Sequence, residues 1–221
     1  MPLSYRELTA PAVEPVTLAQ AKAHLRVDFS EDDAYISALI IAARQQVERM
    51  TNRAIFNRTM LLTLDYFPWP GWGTTTGSTA NDYYMQWYFR GLSIRLPLPM
   101  TVSVESLSYL ATDGVTVVTI DPSNYTVDLT SEPARISPAP GFTWPYQQNY
   151  IPGQVRVNFT AGTYGDGVEV NKCPQTIIWA MYLLIGHLYE NRSAASADSL
   201  KEIPLGVAEL LAGETFDTFE W

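Results

Sequence analysis

The stretch SEDDAYISALIIAARQQVERMT, Ser30–Thr51, decides how the rest of the chain is read. Ile36, Leu39, Ile40, Ala43, Val47 and Met50 recur at three- and four-residue intervals, the pattern of a helix with one buried stripe. Ser30 and the acids Glu31, Asp32 and Asp33 open it, a hydroxyl cap followed by negative charge where the helix dipole is positive. The spacing predicts a helix of about 20 residues and roughly 30 Å. Its other side carries Asp33, Ser37, Arg44, Gln45, Glu48 and Arg49. Arg44 and Glu48 are placed for an i,i+4 pair in the weaker order. Two readings of that side stand open: a solvated face, or a contact face for an identical neighbour.

Upstream, Thr17 with Gln20 reads as a capping box that starts a short helix running to about Arg26. A brief turn, Val27 to Phe29, separates the two helices. After Asn57 the period falls from 3.6 to 2. Met60, Leu62 and Leu64, then Ile94 and Leu96, Val102 and Val104, Val115 and Val117, and Val155, Val157 and Phe159 alternate with their neighbours as half-buried strands do. Turn chemistry separates them at Asp113-Gly114, Asp121 to Asn124 and Gly162 to Gly167. Helical pattern returns at Pro174, a first-turn proline, and runs to Asn191. Pro204 to Ala212 suits a last short helix, and GETFDTFEW is expected to be poorly ordered when free.

Neither helix pair has enough apolar surface to form a core alone, so the two pairs are expected to pack together around an insertion. The fold class is α+β: a discontinuous four-helix domain from residues 1–55 and 166–221, with an antiparallel β-domain, a small sandwich or barrel, inserted at 56–165.

Fourteen Lys and Arg against 23 Asp and Glu leave a net charge of −9 over 221 residues, of which 47% are hydrophobic. Such a chain can bury a core, which excludes wholesale disorder. The acid excess argues against gripping DNA phosphates, which takes clustered Lys and Arg. Cys173 is the only cysteine, excluding an internal disulfide or a Cys-based zinc site within one chain. MPLSYRELTAPAVEP lacks a basic start followed by an apolar run, and the longest apolar run, Ile177–Gly186, is half of the roughly 20 residues that span a bilayer. The chain is therefore expected to be made and kept in a cytoplasm, with no membrane partner.

Few residues suit catalysis. His24 and His187 lie on separate helices and read as satisfied, partly buried side chains. The sequence holds no HExxH, Cys-x-x-Cys, G-x-S-x-G, Walker or Rossmann pattern. Gly162–Gly167 lacks the lysine of a phosphate loop and reads as a strand exit. Lys172 and a helix start beside Cys173 are elements that lower a thiol pKa, yet no base accompanies them. Asp65, Glu105 and Asp128 show no pairing. No catalytic residue, cofactor or metal ligand is assigned.

Pro68–Gly91, PWPGWGTTTGSTANDYYMQWYFRG, carries Trp69, Trp72, Tyr83, Tyr84, Trp87 and Phe89 around a Gly/Thr centre. The rings either cover the insert's own core or dock on another subunit, because large amphipathic rings dominate interfaces. With only Arg90 nearby, an aromatic platform for single-stranded DNA is disfavoured.

Two segments resemble the head-tail connector, or adaptor, proteins of long-tailed bacteriophages, in the subfamily with a long insert between the second and third helices. The first is VTLAQAKAHLRVDFSEDDAYISALIIAARQQVERMTNRAI, Val16–Ile55; the second is PQTIIWAMYLLIGHLYENR, Pro174–Arg192, followed by IPLGVAELLA at 203–212. The resemblance implies a non-catalytic virion protein of the phage neck, assembled in the bacterial host cytoplasm. It implies a homo-oligomeric ring of about a dozen copies beneath the portal protein, closed by a heterologous interface. Such a ring extends the channel for duplex DNA, which passes without specific binding, and offers a platform to a stopper or tail-completion protein. A net negative lumen would let DNA slide. Asp33, Arg44, Glu48, Arg49 and Arg53 are the candidate subunit-interface residues. Trp69, Trp72 and Trp87, with Phe216, Phe219 and Trp221 of an acidic tail that replaces the more usual basic finish, are the candidates for partner docking. The alternative from another class is a small hydrolase or carbohydrate-binding module carried by the β insert.

Overall fold

The computed structural model describes residues 5–68, 89–90, 92–145, 151–169, 171–191 and 205–216. The chain divides into two compact units. One combines Met1–Ala10 with Arg58–Gly162; the other combines Pro11–Asn57 with Thr163–Trp221.

The helical unit contains α1 (Leu18–Leu25), α2 (Asp33–Thr51), α3 (Gln175–Glu190) and α4 (Leu205–Leu211). Thr17 and Gln20 form the expected capping box ahead of α1, and Arg26 closes that helix in the left-handed region. Asp32, not Ser30, occupies the N-cap of α2 and makes no side-chain cap bond. Its carboxylate instead accepts from the Tyr189 hydroxyl at 2.6 Å. Pro174 sits one place earlier than a first-turn proline, as the N-cap of α3. The predicted stripe is the core: Ile36, Leu39, Ile40, Ala43 and Val47 are buried with Ile177, Ala180, Met181, Leu184 and Ile185 of α3. The helix pairs from the two ends of the chain thus share one apolar interior, because each presents a single face that water would otherwise cover.

Gly167 sits in this unit at φ +77, where a Cβ would lie 2.5 Å from Val13 Cγ2 and 2.8 Å from the Phe56 ring. Only glycine fits that left-handed, crowded position. The Gly162–Gly167 loop is a strand exit, with the Thr163 and Tyr164 amides donating to the carbonyls of Ala54 and Ile55.

Among its described residues the β unit forms two open antiparallel sheets and no closed barrel. The five-stranded sheet runs β1-β2-β9-β5-β6, with β1 Tyr5–Thr9, β2 Arg58–Leu64, β5 Thr101–Leu110, β6 Val117–Thr119 and β9 Val155–Ala161. The four-stranded sheet runs β3-β4-β8-β7, from β3 Phe89–Arg90, β4 Ser93–Arg95, β7 Tyr125–Asp128 and β8 Arg135–Pro138. Val155, Val157, Phe159 and Ala161 are buried and alternate with more exposed residues along β9, as period-2 patterning requires. The amino-terminal segment, grouped with the helices in the sequence reading, enters the β unit through β1. Tyr5 pairs with Leu62 and Glu7 with Met60, and no local periodicity announces a strand whose partner lies so far along the chain. Trp144 stacks on Phe67 with ring centroids 5.1 Å apart, and its indole donates to the Leu92 carbonyl at 2.7 Å.

Candidate assembly interface

The candidate interface residues do not form one outward face. Arg44 is the clearest departure: its guanidinium donates to Glu14 at 2.8 Å and to Glu48 at 2.9 Å, and its side chain is only 4% exposed. The other oxygen of Glu48 accepts the backbone N–H of Ile55 at 3.0 Å. A buried guanidinium demands such partners, so the solvated-face reading is corrected at Arg44 and Glu48. They clamp the lead segment, α2 and the turn after it into one piece. Asp33 pairs with Lys22 of α1. Arg53 donates to the Glu214 carbonyl at 2.8 Å and lies over the Phe216 ring at 5.7 Å. Arg49 alone of the five is exposed, with Gln46 as a hydrogen-bond partner.

What α2 does show to solvent is Ala34, Ala38, Ile41, Ala42, Gln45 and Arg49. Ile41 is 42% exposed, and Trp179 on α3 is 52% exposed with Leu183 beside it at i+4. Trp179 meets Tyr182 edge-on at 5.6 Å, and His24 stacks on Tyr182 at 4.9 Å. Sequence reasoning passed over both: Ile41 adjoins the buried Ile40, and Trp179 sits in a helix apolar on most of its circumference. The available signal was their place off the buried stripe.

Phe216, offered as a docking residue, is tied to its own helical unit. Its amide donates to the Thr51 carbonyl at 2.8 Å, and its carbonyl accepts from Asn52 at 3.2 Å. The start of the tail is thereby held at the end of α2, correcting the expectation of disorder for Gly213–Phe216. Trp69, Trp72, Trp87, Phe219 and Trp221 lie outside the described residues.

Near this clip, Glu214 accepts from the Tyr164 hydroxyl and from Thr176 at 3.3 Å. Burial, then the Glu214 carboxylate, pushes the Tyr164 phenol far up. The same two causes push the Cys173 thiol up to about 12. That direction is opposite to an activated thiol, because burial outweighs Lys172 and the helix start.

The carboxylates singled out from the sequence are bonded to their own surroundings. Asp65 accepts from the Gly153 amide at 2.8 Å, Glu105 from Ser103 and Thr160, and Asp128 from Thr130 and Arg135. Hydrogen bonds from Thr130 and then Arg135 hold the Asp128 carboxyl well below the usual range. His187 lies in the last turn of α3, where its carbonyl accepts from Asn191. Among the described residues no group of three His, Cys, Asp or Glu side chains gathers as a metal site, and no helix is long and apolar enough to cross a membrane.

Residues 15–70 match the profile of the family described as Phage gp6-like head-tail connector protein, the family that the first helix pair resembles. No curated protein sequence matches the chain. Among solved structures, the neck of an empty gene transfer agent particle computed with C6 symmetry contains a chain with TM-score 0.67 and 22% identity, covering 96% of this chain and 95% of that one. Chains in the virion of a native gene transfer agent particle and in its neck computed with C12 symmetry each match with TM-score 0.65, 22% identity and the same coverage. The shared architecture extends over both units.

Proposed function

We propose that this chain is a structural head-tail adaptor in the neck of a tailed phage-like particle, forming a ring of about a dozen copies under the portal. The observation that carries the reading is the joint one: a connector-family match over the first helices, and a fold shared along nearly its whole length with chains from gene transfer agent necks. The ring extends the DNA channel, and the net charge of −9 keeps a sliding duplex from being held. A stopper or tail-completion protein docks on the far side, with Trp69, Trp72, Trp87, Phe219 and Trp221 as contact residues and Phe216 as the anchored root of the tail.

Neighbouring copies meet through their helical units. Ile41 and Arg49 present the outward part of the α2 interface, whereas Asp33, Arg44, Glu48 and Arg53 shape it from behind through their internal bonds. Ile41→Asp with Arg49→Glu changes two exposed positions and is expected to leave the monomer folded by circular dichroism while abolishing rings on portal-bearing heads in negative-stain images. Rings of normal abundance from that variant would overturn the α2 interface, and absence of the unmodified protein from necks would overturn the adaptor function.

A further inference from the structure

Strand β1 belongs to the β unit, yet the residues that follow it belong to the helical unit. Among the described residues it pairs with β2, in the register Tyr5 to Leu62, Glu7 to Met60 and Thr9 to Thr59. Arg6, Glu7, Leu8 and Thr9 are all exposed, so the strand is held by edge hydrogen bonds, half-buried Tyr5 and the 2.7 Å ion pair of Glu7 with buried Arg58. Beyond it the chain is soon fixed again: Glu14 is bonded to Arg44, and Pro15 and Val16 are buried. The adjustable stretch is Ala10-Pro11-Ala12, short and stiffened by a proline.

The receiving edge differs in character. Arg58, Met60, Leu62 and Leu64 of β2 are buried, and an uncovered β2 would leave a row of backbone donors and acceptors unpaired. A strand on this edge satisfies that row and covers the apolar residues of β2, and the one it takes is this sequence in this register. Nothing in the pairing specifies which copy supplies it.

We propose that in the assembled ring β1 of each copy pairs with β2 of the neighbouring copy, so that the subunits are linked by exchanged amino-terminal strands. The proposal rests on the adaptor reading, which places identical chains side by side around a closed ring. Exchange makes the same hydrogen bonds and the same Glu7–Arg58 pair as the closed monomer, so it costs no contact, and it turns a side-chain interface into a shared sheet. The outer edge of β1 then ends that sheet. Its charged Arg6 and Glu7, and the register shift between Glu7 and Thr9, discourage a further strand from adding.

Thr9, exposed, and Thr59, half-buried, are register partners in this pair, and directly opposed positions of antiparallel strands come within disulfide reach. Cys173 is half-buried with its thiol pushed up to about 12, and the test variant carries Cys173→Ser so that only the introduced pair can oxidise. In the T9C/T59C variant, oxidation of the monomer gives an intrachain bond, seen as faster migration without reductant. Oxidation after rings have formed on portal-bearing heads is expected to give a ladder of covalent multimers instead, and monomer locked beforehand is expected to lose its incorporation into rings. Intact rings that yield only the intrachain product, or locked monomer that assembles as well as reduced monomer, would overturn strand exchange and leave the adaptor function standing. Failure of the reduced variant and the unmodified chain alike to form rings would sink the adaptor reading itself.

Discussion

The two units use their acids differently. In the helical unit, carboxylates join segments far apart in the chain: Arg44 to Glu14 across thirty positions, Lys22 to Asp33 across eleven, and Tyr189 to Asp32 across 157. In the β unit the turn carboxylates Asp113, Asp121 and Asp128 bond the amides and hydroxyls of residues two or three places on, closing turns, while Glu7, Asp65 and Glu105 reach segments the backbone ladders already pair. Helices that meet through apolar stripes can slide and rotate, so a few directional clamps select one arrangement. Strands are already registered by their backbone ladders, and what remains is to shape each turn. Loss of a clamp carboxylate's partner should therefore be costly in the helical unit, and loss of a turn carboxylate's partner minor in the β unit.

Arg44→Ala tests that contrast most severely. It leaves Glu48, 9% exposed, and half-buried Glu14 facing each other without the guanidinium, and a loss of about 3–5 kcal/mol is expected. Urea unfolding followed by hydrogen exchange should place the loss in α1 to α3, with β9 amides spared; a loss below about 1 kcal/mol would remove the clamp from the account. Gly167→Ala comes next, because its Cβ would meet Phe56 and Val13 at a left-handed φ; a cost of about 1–3 kcal/mol in thermal unfolding is expected.

The pH dependence divides the units again, more gently. An unfolded Cys173 ionises near about 8.5, whereas the folded thiol holds its proton up to about 12. Between those values the unfolded chain has already lost the proton, so stability falls as pH rises. Cys173→Ser should flatten that alkaline slope in the helical unit, and an unchanged slope would assign it to Tyr164. The smallest effect lies on the acid side. Asp113, Asp121 and Asp128 are all held below the usual carboxyl range, chiefly by hydroxyl donors from Thr116, Ser123 and Thr130. Their contribution is present above about pH 4 and is lost as pH falls through their folded values. Asp128→Asn should soften acid unfolding of the β unit only slightly, since the group is exposed to solvent.

The parts legible in the sequence are those whose cause is local. The stripe from Ile36 to Val47, the Thr17–Gln20 box, the alternation along β9 and the glycine-rich strand exit each depend on residues a few places apart. The same holds for the shared core, which followed from helix pairs too small to stand alone. Strand β1 was missed because Arg6 and Glu7 break any alternation and its partner lies some fifty positions on. Arg44 and Glu48 were read outward because polarity normally follows water; Glu14, from the lead segment, and the Ile55 amide supply the partners that let them be buried. Ile41 and Trp179, two of the apolar side chains that solvent still touches, were hidden among buried neighbours of the same type.

The clip at Phe216 sets a leash. With that residue's amide and carbonyl both fastened at the end of α2, five peptide units separate it from Trp221, and even a fully stretched chain reaches only about 18 Å. Any surface that recognises the Trp221 indole must therefore come within that radius, extended by the length of the side chain, of one fixed point on the helical unit, so a small shift in where the clip is fastened would move the whole recognition zone with it.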